Sequence, residues 1–162
     1  MVSRLLGRFA RERRGSALVE GAVLAPVLMT VIFGVLEFSY AYFQQQLIAS
    51  GIRDAARYIS RNTNTSGDPC ASASWASAKN LATTGLVSGG TARVSGWTAA
   101  NVTVTCNAVA NTNSYLGGFN GNIYVVAVTT TFTVNTFGSM GFLQKTIPAI
   151  TVTHRERMIG AG

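Results

Sequence analysis

From Gly21 to Leu36 the chain reads "GAVLAPVLMTVIFGVL" without a charged residue, and after Glu37 the apolar character continues through "FSYAYF" to Phe43. Hydrocarbon offers no partner to backbone N–H and C=O groups, so a run of this kind satisfies itself as a helix. A bilayer core of about 30 Å needs about 20 helical residues, and this stretch is long enough. One membrane-spanning helix near the N-terminus therefore constrains everything else, leaving residues 62–162 for one modest domain.

Charge sets the orientation expected of that helix. The preceding "MVSRLLGRFARERRG" holds Arg4, Arg8, Arg11, Arg13 and Arg14 against Glu12, and the next basic residue is Arg53. Lys and Arg are retained on the cytoplasmic side, so the N-terminus should stay inside and the chain beyond about Tyr42 should be exported. Most of the net charge of +7 lies in this leader; the rest carries +3, scattered along the chain. That is too little to argue for a nucleic-acid partner. A secretory signal cleaved near "GAVLA" is the alternative for residues 1–30, but the apolar run extends well past such a site.

Within "RRGSALVEGAVLAP" a carboxylate, Glu20, stands five residues after Gly15. A charge in low dielectric is costly unless it is paired or sits near a helix end. Glu20 is therefore either paired with a positive group or solvated at the headgroup boundary. Ala17, Gly21 and Ala25 recur every four residues, a stripe that lets helices approach closely in lipid. Pro26 leaves the Ala22 carbonyl without its helical donor, which predicts a kink or local melting. Glu37 lies about 25 Å along the helix from Glu20 and reads as an interfacial group, with Tyr40 and Tyr42 as an aromatic belt at the outer face.

After Phe43 the pattern becomes amphipathic. Leu47, Ile48, Gly51, Ile52, Ala55, Ala56 and Ile59 fall on one side, while Gln44, Gln45, Arg53, Asp54, Arg57 and Arg61 face away. The helix should thus leave the membrane and continue to Arg61, residues 16–61 making a rod of about 69 Å. "NTNTSGDPC", with Asp68 beside Pro69, ends it. A short helix follows in "ASASWASAKNLATTGL", with Trp75, Ala78, Leu81 and Ala82 on one side. The remainder is β-like: residues 101–109, 122–134 and 145–159 alternate β-branched residues, and "TARVSGW" (91–97) is a further edge-strand candidate. The expected fold is α+β, a long transmembrane and amphipathic helix packed on a small antiparallel sheet of three or four strands. Its organisation would be a basic leader (1–15), a transmembrane half-helix (16–43), an exported half-helix (44–61) and an extracytoplasmic domain (62–162).

The glycine, four residues, then glutamate at the head of an apolar helix resembles the processing signature of type IV prepilins and pseudopilins. Over residues 13–61 the chain is similar, more narrowly, to the TadE-like family of the tight-adherence (Flp) pilus. The features carrying this are the Arg-Gly start, Glu20, Pro26, Glu37 before an aromatic in "GVLEF", and "AAR" near the helix end. Gly21 departs from the family, which usually places an aromatic there. The resemblance implies a pilin-like fold, cleavage between Gly15 and Ser16 by a prepilin peptidase, and helix packing through Glu20. It implies a minor pseudopilin in the bacterial inner membrane with a periplasmic domain, or carried into an extracellular pilus. Partners would be other pilins or pseudopilins, the peptidase and the inner-membrane assembly platform, in pilus assembly, surface adhesion and biofilm formation. A minor pilin of an ordinary type IV pilus or type II secretion apparatus is the near rival, although "FTLIE" is lacking. An uncleaved single-pass membrane protein with an extracytoplasmic binding domain is the reading from another class.

Cys70 and Cys106 both fall in the exported part, where a periplasm permits a disulfide; unpaired thiols and metal ligation are the alternatives, the last poorly supported by a single histidine. No enzyme, cofactor or metal site is expected. His154 has basic sequence neighbours and no triad, and Ser77 with Lys79 misses the S-x-x-K spacing. Phosphate-binding glycine motifs are absent, and Gly89, Gly90, Gly117 and Gly118 read as loop punctuation.

Overall fold

The computed structural model describes residues 13–62, 70, 74–110, 122–136 and 148–158. The leader before Arg13, the turn around Asp68 and Pro69, the Gly117–Gly118 loop and the start of the third expected strand lie outside the described residues. Helix α1 (Arg13–Arg61) is followed by α2 (Trp75–Thr84), a 3-10 turn (Ala99–Asn101) and strands β1 (Val102–Ala110), β2 (Asn122–Phe132) and β3 (Ile150–Arg157). The architecture is α+β, one long N-terminal helix and a three-stranded antiparallel sheet in the order β1-β2-β3.

Helix α1 spans 49 residues, about 74 Å at 1.5 Å per residue. It runs through Pro26 without interruption, so the expected local melting does not occur. A proline forfeits one backbone hydrogen bond, and the turns on either side keep theirs. The Thr30 hydroxyl donates back to the Pro26 carbonyl at 2.8 Å within the helix.

The two halves of α1 live in different surroundings. Every residue described from Ala17 to Phe33 is exposed. From Glu37 on, one face is covered: Glu37, Gln44, Ile48, Gly51, Ile52, Ala55, Ala56 and Ile59 are buried, the stripe of an amphipathic helix. This face lies on α2 and on the inner face of the sheet, where Val102, Val104, Val126 and Val128 join the same core. Alternate positions of β2 and β3 therefore point to α1, those of β1 to α2, and the others to solvent.

Two close fits fix the packing. A Cβ on Gly51 would overlap the Ala82 carbonyl of α2 and stand 3.0 Å from Trp97 Cη2, so α1 and α2 meet backbone to backbone at a residue without a side chain. Trp97 is fully buried, and its indole N–H donates to Thr130 Oγ1 at 3.0 Å. The Thr130 hydroxyl passes its own proton to the Asn101 carbonyl at 2.8 Å, which satisfies both polar groups inside the core.

"TARVSGW" is not an edge strand. Helix α2 ends at Gly85 in a left-handed conformation, and Arg93 N–H donates to the Thr83 carbonyl at 2.7 Å. Gly96, at φ +81°, then reverses the chain, a conformation glycine adopts without steric cost. Val94 and Trp97, three residues apart, are instead loop side chains that both enter the core.

Cys70 and Cys106 form a disulfide with a Cα–Cα distance of 5.6 Å. It ties the chain beyond α1 to the middle of β1. Closing that loop is worth about 4 kcal/mol on the chain-entropy account.

Candidate functional site

The residues singled out at the head of α1 lie on its first turns. Gly15, Ala17, Glu20, Gly21 and Ala25 are all exposed. Among the described residues, nothing comes within 4 Å of a Cβ built on Gly15, Gly21 or Gly34. The small-residue stripe is therefore a surface that the described residues leave uncovered. Around it stand Leu18, Val19, Val23, Leu24, Val27, Leu28, and further up Ile32, Phe33 and Leu36, each more than half exposed or at half. Among the described residues one helix is long and apolar enough to cross a membrane, and it is this one.

The length of the bare segment is set by where the chain's own cover begins. From Ala17 to Leu36 is about 30 Å of helix, the thickness of a bilayer core. At Glu37 the chain's own fold begins to cover the helix. The expected interfacial carboxylate is thus 1% exposed: it sits on the covered stripe, four residues before Ala41 and seven before Gln44, and is enclosed by protein rather than open to the headgroups. Tyr42 stays exposed together with Phe38 and Phe43, whereas Tyr40 is half-buried.

Gln44 needs the same correction: the helical pattern puts its amide on the outward face, yet it is 3% exposed. Its Nε2 donates to the Asn135 carbonyl at 2.7 Å, and its Oε1 accepts the Asn135 N–H at 3.0 Å. Asn135 Nδ2 in turn donates to the Ser95 carbonyl at 2.7 Å. A paired amide of this kind acts like one rung of a sheet, and it clamps α1 to the segments after β2 and before the 3-10 turn. The sequence signal was available: Glu37, Ala41, Gln44, Ile48, Gly51 and Ala55 follow a four-three spacing, which continues the core stripe across two polar residues.

Further up, ion pairs link α1 to its surroundings. Arg93 meets Asp54 at 3.1 Å, and Arg57 approaches Glu156 of β3 at 3.7 Å. Glu156 also lies 3.0 Å from His154 Nε2, so the histidine faces a carboxylate on its own strand. These pairs are partly exposed, a setting in which each contributes up to about 1 kcal/mol. Ser77 and Lys79 lie on α2. Among the described residues no three His, Cys, Asp or Glu side chains converge on one point.

The arrangement has the geometry of an anchor and a socket. A rigid helix presents a bilayer-length bare surface at one end, and its other end is clamped to a sheet domain by Gln44, Gly51 and the core above them. The sequence model of one protein family, the TadE-like proteins, matches residues 15–57. The match starts at the glycine of the expected cleavage site and ends within the packed half of α1, covering the anchor and the clamp. No curated protein and no solved structure matches the chain.

Proposed function

We propose that this chain, TadE-like over residues 15–57, is a minor pseudopilin of the tight-adherence (Flp) type. On this reading a prepilin peptidase cuts between Gly15 and Ser16, and α1 holds the protein in the bacterial inner membrane with the sheet domain in the periplasm. The subunit then acts with other pilins or pseudopilins and the inner-membrane platform in pilus assembly, and through it in surface adhesion and biofilm formation.

The observation that carries this reading is the unequal burial of one continuous helix. The half that bears Gly15, Glu20 and the small-residue stripe has no cover from the described residues, while one face of the other half is buried by the fold. A helix of this kind suits a subunit that passes from lipid to a bundle of like helices. Lipid covers the bare half first, and neighbouring helices approach along Ala17, Gly21 and Ala25 when subunits meet. On this reading Glu20, exposed one turn beyond Ser16, meets the new amine of its own or an adjacent chain, which offsets the cost of a carboxylate in that setting.

Intact mass and N-terminal sequencing of the membrane-extracted protein, with and without the prepilin peptidase, test the proposal. A start at Ser16 that depends on the peptidase is expected. A leader retained under both conditions would overturn it and leave a single-pass membrane protein whose Glu20 is an interfacial charge.

A further inference from the structure

The sheet has an outer face, opposite the one that packs on α1. By strand register Thr103, Thr129 and Thr153 form one row across all three strands of that face, and Thr131 beside Thr151 begins a second. The hydroxyls of Thr129 and Thr153 are 3.0 Å apart, as are those of Thr131 and Thr151. Along β3 the same face continues as Arg155 and Arg157, both exposed, about 7 Å apart as alternate residues of one strand. No outward position of the described strands carries an Asp or Glu. Glu156, the carboxylate between the two arginines, points to the inner face toward Arg57 and His154.

We propose that this face binds an acidic polysaccharide: Arg155 and Arg157 take carboxylate groups of the polymer, and the threonine rows bond its hydroxyls. The inference rests on the reading that the domain is exported. Charge complementarity selects the occupant. Two arginines with no acid beside them on the outward positions of the described strands attract an anion, and the planar guanidinium matches a carboxylate in a two-point contact. The rest of the threonine-rich end offers hydroxyls that both donate and accept, which suits a chain of sugar hydroxyls. A nucleic acid fits less well. Two cations neutralise few phosphates, and no aromatic side chain lies outward on these strands to stack a base.

The test uses the full chain in detergent micelles, with polygalacturonate, neutral dextran and inorganic polyphosphate as probes on a biosensor surface. Polygalacturonate should bind and dextran should not. Arg155→Ser with Arg157→Ser should weaken polygalacturonate about tenfold, the effect of losing two exposed ion pairs. Thr151→Val with Thr153→Val keeps the β-branched shape that the strand needs, and should weaken polygalacturonate while leaving polyphosphate unchanged. Equal binding by the arginine variant and the parent, with matching circular dichroism, would overturn the proposal. Polyphosphate bound as tightly as polygalacturonate would also overturn it, reducing the face to a generic cation. Cleavage at Ser16 is read separately, so failure here is distinguishable from failure of the pseudopilin reading.

Discussion

Gly51→Ala is the substitution that most directly tests how the helix is held. By local preference it should help, since alanine in a helix interior is favoured over glycine by about 1 kcal/mol. The structure reverses the sign. The new methyl group would overlap the Ala82 carbonyl and crowd Trp97, and a backbone atom in a neighbouring helix cannot swing aside as a flexible side chain would. Overpacking of this kind costs about 3 kcal/mol at its upper end, so the net loss should be about 2 kcal/mol. For a domain of this size that lowers Tm by about 10 °C. Thermal unfolding of the detergent-solubilised protein, followed by tryptophan fluorescence, reads it at the point of contact because Trp97 is buried beside the site. Gly34→Ala is the control: none of the described residues stands within 4 Å of its Cβ, and its unfolding should be unchanged or slightly later. A Gly51→Ala protein as stable as the parent, or more so, would refute the close approach of α1 and α2.

Two further outcomes follow from the junction and the covalent tie. Gln44→Leu removes both hydrogen bonds to Asn135 and leaves a part-buried main-chain donor and acceptor to water, at a cost of about 1 to 2 kcal/mol; hydrogen exchange at the Asn135 amide should quicken, and an unchanged rate would count against the clamp. Reduction of the Cys70–Cys106 bridge should lower unfolding stability in denaturant by up to about 4 kcal/mol, with thiol titration of the unreduced, unfolded protein finding no free cysteine.

The elements themselves were largely legible. Helix α1 ends at Arg61 as its periodicity implies, α2 forms around Trp75, Ala78 and Ala82, and three antiparallel strands occupy the alternating segments. In each case the signal is a repeat within the segment, and such a repeat states which face is apolar whatever the face will meet. The head of the candidate site was legible for the same reason, since Gly15, Glu20, Pro26 and the small-residue stripe are defined by spacing along one helix.

What required the tertiary structure was the identity of each neighbour. Glu37 and Gln44 lie on the covered stripe although both are polar, because the chain after β2 supplies Gln44 with main-chain partners. Gly51 reads in sequence as one more small residue in a helix, and becomes a point of contact only because Ala82 arrives there from α2. "TARVSGW" is an edge-strand candidate in sequence, but the bond from Arg93 to Thr83 and the turn at Gly96 hold it as a loop. The sequence by itself determined that one long helix must carry a bare apolar half and an amphipathic half. Only the packed chain decided where the cover begins, since burial of a polar residue depends on hydrogen-bond partners brought from distant segments, and no local repeat encodes them.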